Sequence, residues 1–156
     1  MPRIETSRFT MEFSEDWVLE DGPRATLVTA DGACAIASSL TIEGSGGKAA
    51  IEGLQEVVLE AMTGAANEPG VEWTEDLILE EGPDGGDWFE LRARTTDGST
   101  IFWQFARVNA YGSVLVTVEA PAELAYRVTE VRDVVFAGRP IVPEPAKKSW
   151  FATWFG

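Results

Sequence analysis

Four runs rich in aromatic and β-branched residues, joined by very short links, constrain the fold of this chain more than any other feature. The runs cover residues 71–80, 87–95, 100–108 and 113–119, and their composition is typical of strands. The links are Gly82-Pro83-Asp84-Gly85-Gly86, Asp97-Gly98 and Asn109-Ala110-Tyr111-Gly112. Because a parallel crossover needs about a dozen residues or more, we expect these strands to be antiparallel neighbours.

The preceding part of the chain predicts three more strands and a hairpin. Apolar and polar residues alternate loosely over residues 9–13, which predicts a first short strand. Glu15-Asp16-Trp17 is predicted to lead out of that strand. Strands at 25–29 and 33–43 flank Asp31-Gly32. This dipeptide favours a tight hairpin turn because both of its residues tolerate positive φ.

Two helices complete the prediction. Residues 48–63 follow the loop Gly44-Ser45-Gly46-Gly47 and precede Gly64, which lies where a helix C-cap is expected. The last helix opens at Pro121 and ends at Gly138. Each helix carries one apolar stripe at helical spacing: Ile51, Leu54, Val58, Ala61 and Met62 in the first, and Leu124, Val128, Val131, Val134 and Val135 in the second.

The predicted fold class is α+β, an antiparallel β-sheet of about six or seven strands with two helices in the order β-β-β-α-β-β-β-β-α. We expect both helices to cover one face of the sheet and the other face to stay accessible. Residues 1–138 are assigned to this domain. Residues 139–156 form a stiff spacer, with Pro140, Pro143 and Pro145, and an aromatic C-terminal tail.

Charge and composition narrow the classes of function. Twelve basic residues against 26 acidic ones give a net charge of −14, which argues against a nucleic-acid partner. Between Lys48 and Arg92 every charged residue is acidic. No run of residues is apolar enough for an export signal or a membrane span, so we expect a cytoplasmic protein without a stable membrane anchor.

Nothing in the sequence predicts a cofactor, a metal site or a catalytic group. The chain has no histidine, the commonest general base and metal ligand, and Cys34, between two alanines, is interpreted as a small buried residue. Gly44-Ser45-Gly46-Gly47-Lys48 lacks the first glycine and the final hydroxyl residue of a phosphate-binding loop. A hydrolase with a carboxylate pair is the alternative that 26 acidic residues leave open.

Two features of the domain are candidate partner-binding sites. Glu52, Glu56 and Glu60 recur at every fourth residue of the first helix, and this acidic stripe is either a solvated face or a docking site for a basic partner. Trp88 and Phe102 are the aromatic residues expected on the accessible sheet face, where Trp88 is a candidate anchor.

The tail is the third candidate partner-binding site. Trp150, Phe151, Trp154 and Phe155 lie at i, i+1, i+4 and i+5, so one helical turn would gather them on one side. Exposed aromatics of this number tend to find a docking surface. We expect a groove on a partner or on a second copy, which would give a homodimer; the same domain and a membrane surface are the other destinations.

The element order, together with the opening Phe-x-x-x-Phe-x-x-x-Trp of Phe9, Phe13 and Trp17, resembles the PsbP-like fold over about residues 8–138. This superfamily includes an extrinsic photosystem II protein, a nuclear import factor that binds the Ran GTPase, DcrB lipoproteins and chaperones of type VI secretion effectors. The resemblance implies an antiparallel sheet with two helices and a domain that binds proteins without catalysis.

The functional prediction is a non-catalytic binding domain. We expect an adaptor, a chaperone or an immunity-type inhibitor that captures a basic or amphipathic protein partner. A bacterial secretion or toxin system is the expected context.

Overall fold

The main sheet lies between the two helices. The computed structural model describes residues 2–6, 8–42 and 47–142. Its helices are α1 (Lys48–Ala66) and α2 (Ala125–Ala137), the second preceded by a 3₁₀ turn at Ala122–Leu124. Its strands are β1 (Arg3–Glu5), β2 (Phe9–Glu12), β3 (Trp17–Glu20), β4 (Ala25–Thr29), β5 (Cys34–Thr41), β6 (Val71–Trp73), β7 (Ile78–Glu81), β8 (Asp87–Thr95), β9 (Thr100–Asn109), β10 (Gly112–Pro121) and β11 (Arg139–Pro140).

The strands form two antiparallel sheets. The main sheet has eight strands in the order β3-β4-β5-β10-β9-β8-β6, and β7 pairs with β8 beside β6. A small sheet has the order β1-β2-β11. The α+β class and the antiparallel pairing are therefore confirmed, although the main sheet is wider than the six or seven strands predicted.

The hairpin turns are formed by the residues that predicted them. Gly32 and Gly98 have φ of 107° and 75°, a region that glycine adopts without steric cost. Beside Gly98, the Asp97 carboxylate accepts hydrogen bonds from the backbone N–H of Ser99 and from the Thr95 hydroxyl. These bonds stabilise the ionised form and lower the pKa of Asp97 to about 2.

The helices cover opposite faces of the sheet, so the prediction that both lie on one face is wrong. The buried face of α2, with Val128, Val131 and Val135, packs on the face that carries Trp88 and Phe105. The buried stripe of α1 packs on the other face; Leu54, Val58, Met62 and Ala66 there meet Phe89, Leu91, Ala93, Ala106 and Val108. The central strands β8 and β9 carry apolar residues on both faces, and one helix cannot cover both.

Three local boundaries also differ from the prediction. Residues 71–80 form two strands, because the four residues 74–77 stand opposite only Leu91 and Arg92 on β8, and this surplus breaks the ladder. Trp17 begins β3 instead of leading out of a strand. Gly64 lies inside α1, since Ala66, fully buried, still packs on the sheet.

The small sheet closes the core on the α2 side. Strands β1 and β11 were not predicted, since each has at most three residues and no periodicity of its own. Arg139 and Pro140 pair with Thr10 and Phe9, so the described domain continues two residues beyond 138.

Candidate functional site

The acidic stripe of α1 points away from the sheet. Glu52, Glu56 and Glu60 are all exposed, as their spacing opposite the buried stripe requires. The nearest basic group is Lys48, whose ammonium lies 3.9 Å from a carboxylate oxygen of Glu52. The stripe is therefore accessible to a partner and largely uncompensated by positive charge.

Trp88 is not accessible, and the expectation that it is an exposed anchor is wrong. Its side chain has no exposed surface, because α2 covers this face. Its ring stacks on Phe105 with centroids 5.9 Å apart and meets Phe136 of α2 edge-on at 5.3 Å. Its Nε1 donates to Glu90 at 3.3 Å. Trp88 is a core residue.

Phe102 lies on the other side of the sheet from Trp88. It is half-buried and lines a cleft at the C-terminal end of α1, beside Ala65, Val71 and Glu119. Trp88 and Phe102 therefore do not belong to one surface. The four aromatic residues of the tail, Trp150, Phe151, Trp154 and Phe155, lie outside the described residues.

A buried charge cluster lies on the polar face of β8. Because its charges are paired, helix α2 can cover this face. Glu90, with no exposed surface, accepts from Nε of Arg92 at 2.6 Å and from Nε of Arg132 at 2.8 Å. The Arg92 guanidinium also stacks on Trp103, 4.6 Å from the ring centroid. Burial of Glu90 is compensated by two cations, and alternation alone could not distinguish this arrangement from a solvated face.

A second cluster fixes the N-terminal half of α2. Arg127 contacts Asp16 and Asp31 at 3.1 Å each and also pairs with Glu130. A hydrogen bond from Thr29, followed by that from Arg127, lowers the pKa of Asp31 to about 2. A hydrolytic carboxylate pair needs one group whose pKa is raised so that it can donate a proton. Asp31 has the opposite property, since its hydrogen bonds from Thr29 and Arg127 stabilise the ionised form.

The α1 side of the sheet contains a surface that the sequence analysis missed. Helix α1 packs on β8, β9 and β10, while the same side of β3, β4 and β5 carries apolar residues that remain at least partly exposed. Val18 is 61% exposed and Leu40 47%. The residues of this surface, called the open face below, are Val18, Val28, Cys34, Ile36 and Leu40.

One flank of α1 borders the open face and forms a groove with it. Val57, 50% exposed, and Ala61 line the groove opposite Leu40 and Leu115. Gly53 lies one turn before Val57, and a Cβ added there would meet nothing within 4 Å. We call Gly53, Val57 and Ala61 the small flank of α1. Small side chains at this spacing leave room for another segment to approach the helix closely.

Cys34 lies near one end of the open face. It pairs in register with Val28 and Glu119, and its thiol is partly exposed. Partial burial, followed by the negative charges of Glu119 and Glu20, raises the pKa of the thiol. Cys34 is therefore half-buried, and the interpretation of it as a small buried residue is wrong. The sequence did contain a signal for an apolar surface on this side of the sheet. Along β5, Ala33, Ala35 and Ala37 alternate with Cys34 and Ile36, so both faces of the strand are apolar.

A separate cleft lies beside the N-terminal part of α1, where the described chain ends. It has a volume of about 520 Å³, and its lining includes Ile51 of α1, Tyr111, Pro140 and Val142. Ile42, which directly follows β5, donates its backbone N–H to the carbonyl of Tyr111 at 2.9 Å. Residue 142 is therefore close to the end of β5 that carries Leu40.

The described residues contain neither a membrane-spanning helix nor a cluster of metal ligands. No helix in ranges 2–6, 8–42 and 47–142 combines the length and apolar character needed to cross a bilayer. Within the same residues, no three acidic or cysteine side chains gather as the ligands of a metal ion would.

Comparison with known proteins identifies the fold. No family model and no curated protein matches the sequence. Among solved structures, the chain is similar to cyanobacterial PsbP from Synechocystis sp., with a TM-score of 0.63 and 11% identity, covering 90% of this chain and 92% of that chain. The chain therefore has the PsbP-like fold that its element order and its aromatic entry predicted.

Proposed function

We propose that this protein is a non-catalytic binding domain that captures an amphipathic, basic segment of a protein partner in the groove between the open face and α1. The observation that carries the proposal is the apolar groove itself. Val18, Leu40 and Val57 are about half exposed or more, although α1 buries Phe89, Leu91 and Ala106 on the same side of the sheet.

The shape of the surface favours a helical segment. A helix laid beside α1 would occupy the position that a second helix takes in a two-layer α/β arrangement. Its apolar side would contact Leu40 and Ile36, and the small flank of α1 would allow close packing. Helix-in-groove binding of this kind is a common mode of peptide recognition.

The charge of the surface favours a basic segment. Glu52, Glu56 and Glu60 follow the outer side of α1, and Glu20 and Glu119 lie near Cys34 at the far end of the open face. A partner with lysine or arginine along its polar side would associate faster and with a strong dependence on salt. Adaptors, chaperones and immunity-type inhibitors of a bacterial secretion or toxin system are proteins that use such capture.

The test compares two leucine substitutions of matched exposure. Leu40 on the open face is 47% exposed, and Leu79 on β7 is 56% exposed at the other edge of the sheet. The wild-type chain, Leu40→Arg and Leu79→Arg would be purified from the native source and measured by intact-mass spectrometry. We expect a stoichiometric partner on the wild type and on Leu79→Arg, and its loss from Leu40→Arg.

Two results would contradict the proposal. One is an equal amount of the same partner on both variants, because binding would then lie elsewhere. The other is turnover of a small-molecule substrate by the purified chain without any bound protein, which would favour the hydrolase alternative. Circular dichroism of both variants controls for unfolding.

A further inference from the structure

We propose that residues 147–156 of the same molecule occupy the groove between the open face and α1, so that a partner must displace them. The competition with a partner rests on the proposed function, but the docking of the segment does not depend on any partner. The position of residue 142, the reach of the intervening chain and the chemistry of the segment all favour this docking.

The described chain ends in a cleft beside the N-terminal part of α1, the helix that borders the groove. Val142 and Ile51 line the same cleft, and Val57 lies six residues further along α1, a rise of about 9 Å. Residues 143–146 intervene before Lys147. In an extended, proline-rich conformation they span about 12 Å. The segment can therefore reach the groove without any change in the described domain.

The length of the segment also fits the length of the open face. From Leu40 to Cys34 the strand covers six residues, or about 20 Å. Ten residues, from 147 to 156, extend about 15 Å as a helix and about 33 Å when fully extended. In either conformation the segment is long enough for its aromatic residues to reach along the open face.

The chemistry of the segment complements the groove. Trp150, Phe151, Trp154 and Phe155 supply four large apolar side chains, and their burial against an apolar surface is favourable. The basic residues of the segment are Lys147 and Lys148, and the acidic stripe of Glu52, Glu56 and Glu60 follows the outer side of the helix that borders the groove.

The short connection favours the same molecule over a second copy. A short linker holds the segment at an effective concentration of about 1 mM. If the free segment binds with a Kd of about 0.1 mM, the groove is about tenfold more often occupied than empty. A partner would then bind roughly tenfold more weakly to the full chain than to a chain whose segment cannot dock.

Cys34 provides a reporter of this occupancy, because it is the only cysteine of the chain and lies on the open face. The rate of its reaction with a bulky maleimide would be measured in the full chain. The test variant replaces Trp150, Phe151, Trp154 and Phe155 together by serine, and the matched control is Ser149→Ala with Thr153→Ala. We expect the test variant to react about tenfold faster and the control to react at the wild-type rate.

Further measurements place the single cysteine elsewhere in the full-length chain or add the segment as a free peptide. Leu40→Cys in a Cys34→Ser background reports the other end of the open face, and Ser14→Cys in that background reports an exposed loop outside it. A synthetic peptide of residues 147–156, added to the serine variant, should restore protection of Cys34. Leu40→Arg should weaken the effect of the peptide.

Either of two results would overturn the inference. Equal rates in the wild type and the serine variant, at both Cys34 and Leu40→Cys, would show that the segment does not cover the groove. Protection that disappears on dilution would show that it binds a second copy. Neither result touches the proposed function, which fails separately if Leu40→Arg keeps the native partner.

Discussion

Replacing Trp88 by alanine tests the most consequential difference between the predicted and the observed architecture. If the helices covered one face only, Trp88→Ala would affect binding and leave stability nearly unchanged. In the structure Trp88 has no exposed surface and contacts Phe105, Phe136 and Glu90. Truncation of a buried tryptophan costs about 3–5 kcal/mol, and the loss of two aromatic pairs places the value in the upper half of that range, at about 4–5 kcal/mol.

The assay is equilibrium unfolding in urea, followed by far-UV circular dichroism. Trp88→Phe keeps most of the ring contacts and loses only the Nε1 hydrogen bond to Glu90, so we expect a cost of about 1–2 kcal/mol. Trp73, 38% exposed on β6, is the control, and Trp73→Ala should cost less than about 1 kcal/mol. The reasoning is refuted if Trp88→Ala and Trp73→Ala lower the free energy of unfolding equally, with unchanged slopes.

Two further predictions concern charge. Substituting Glu52, Glu56 and Glu60 together by glutamine removes two like-charge pairs, and scanning calorimetry should show a melting temperature higher by roughly 1–3 °C. If the stripe binds the partner, the same substitution should lower the affinity at low salt and weaken the dependence of that affinity on salt. An unchanged affinity at low salt would show that the stripe is a solvated face. Asp31→Asn tests the Arg127 cluster. The folded pKa of Asp31, about 2, lies below its ordinary value, so its contribution is present above about pH 4 and is lost as the pH falls towards 2. The difference in urea midpoint between the wild type and Asp31→Asn should therefore shrink over that interval, and a constant difference would contradict the assigned cause.

The local elements of this protein were largely determined by short-range physics, which the sequence displays directly. Asp31-Gly32 and Asp97-Gly98 form their turns because glycine tolerates the positive φ that these turns require. Strands β7, β8, β9 and β10 follow one another as antiparallel neighbours because their links are too short for a crossover. The buried stripe of α1 was predicted for the same kind of reason, since Leu54, Val58 and Met62 recur at helical spacing.

The assignment of faces was decided only by the tertiary structure. Alternation along β8 separates Trp88 and Glu90 from Phe89 and Leu91, but it does not state which side meets a helix. The semi-polar side could be buried because Arg132 of α2, forty-two residues away in sequence, completes the charge cluster of Glu90. Such a partner has no local signature.

The candidate site was likewise predicted in part from the sequence and decided in part by the tertiary structure. The exposure of the acidic stripe was predictable from helical periodicity, whereas the open face depends on how much of an eight-stranded sheet a single helix can cover. Helix α1 is about 10 Å wide, and strands lie about 4.8 Å apart, so it shields two or three strands. The side of β3, β4 and β5 that faces away from α2 remains open because the width of a sheet is set by long-range pairing, not by the sequence of any one strand.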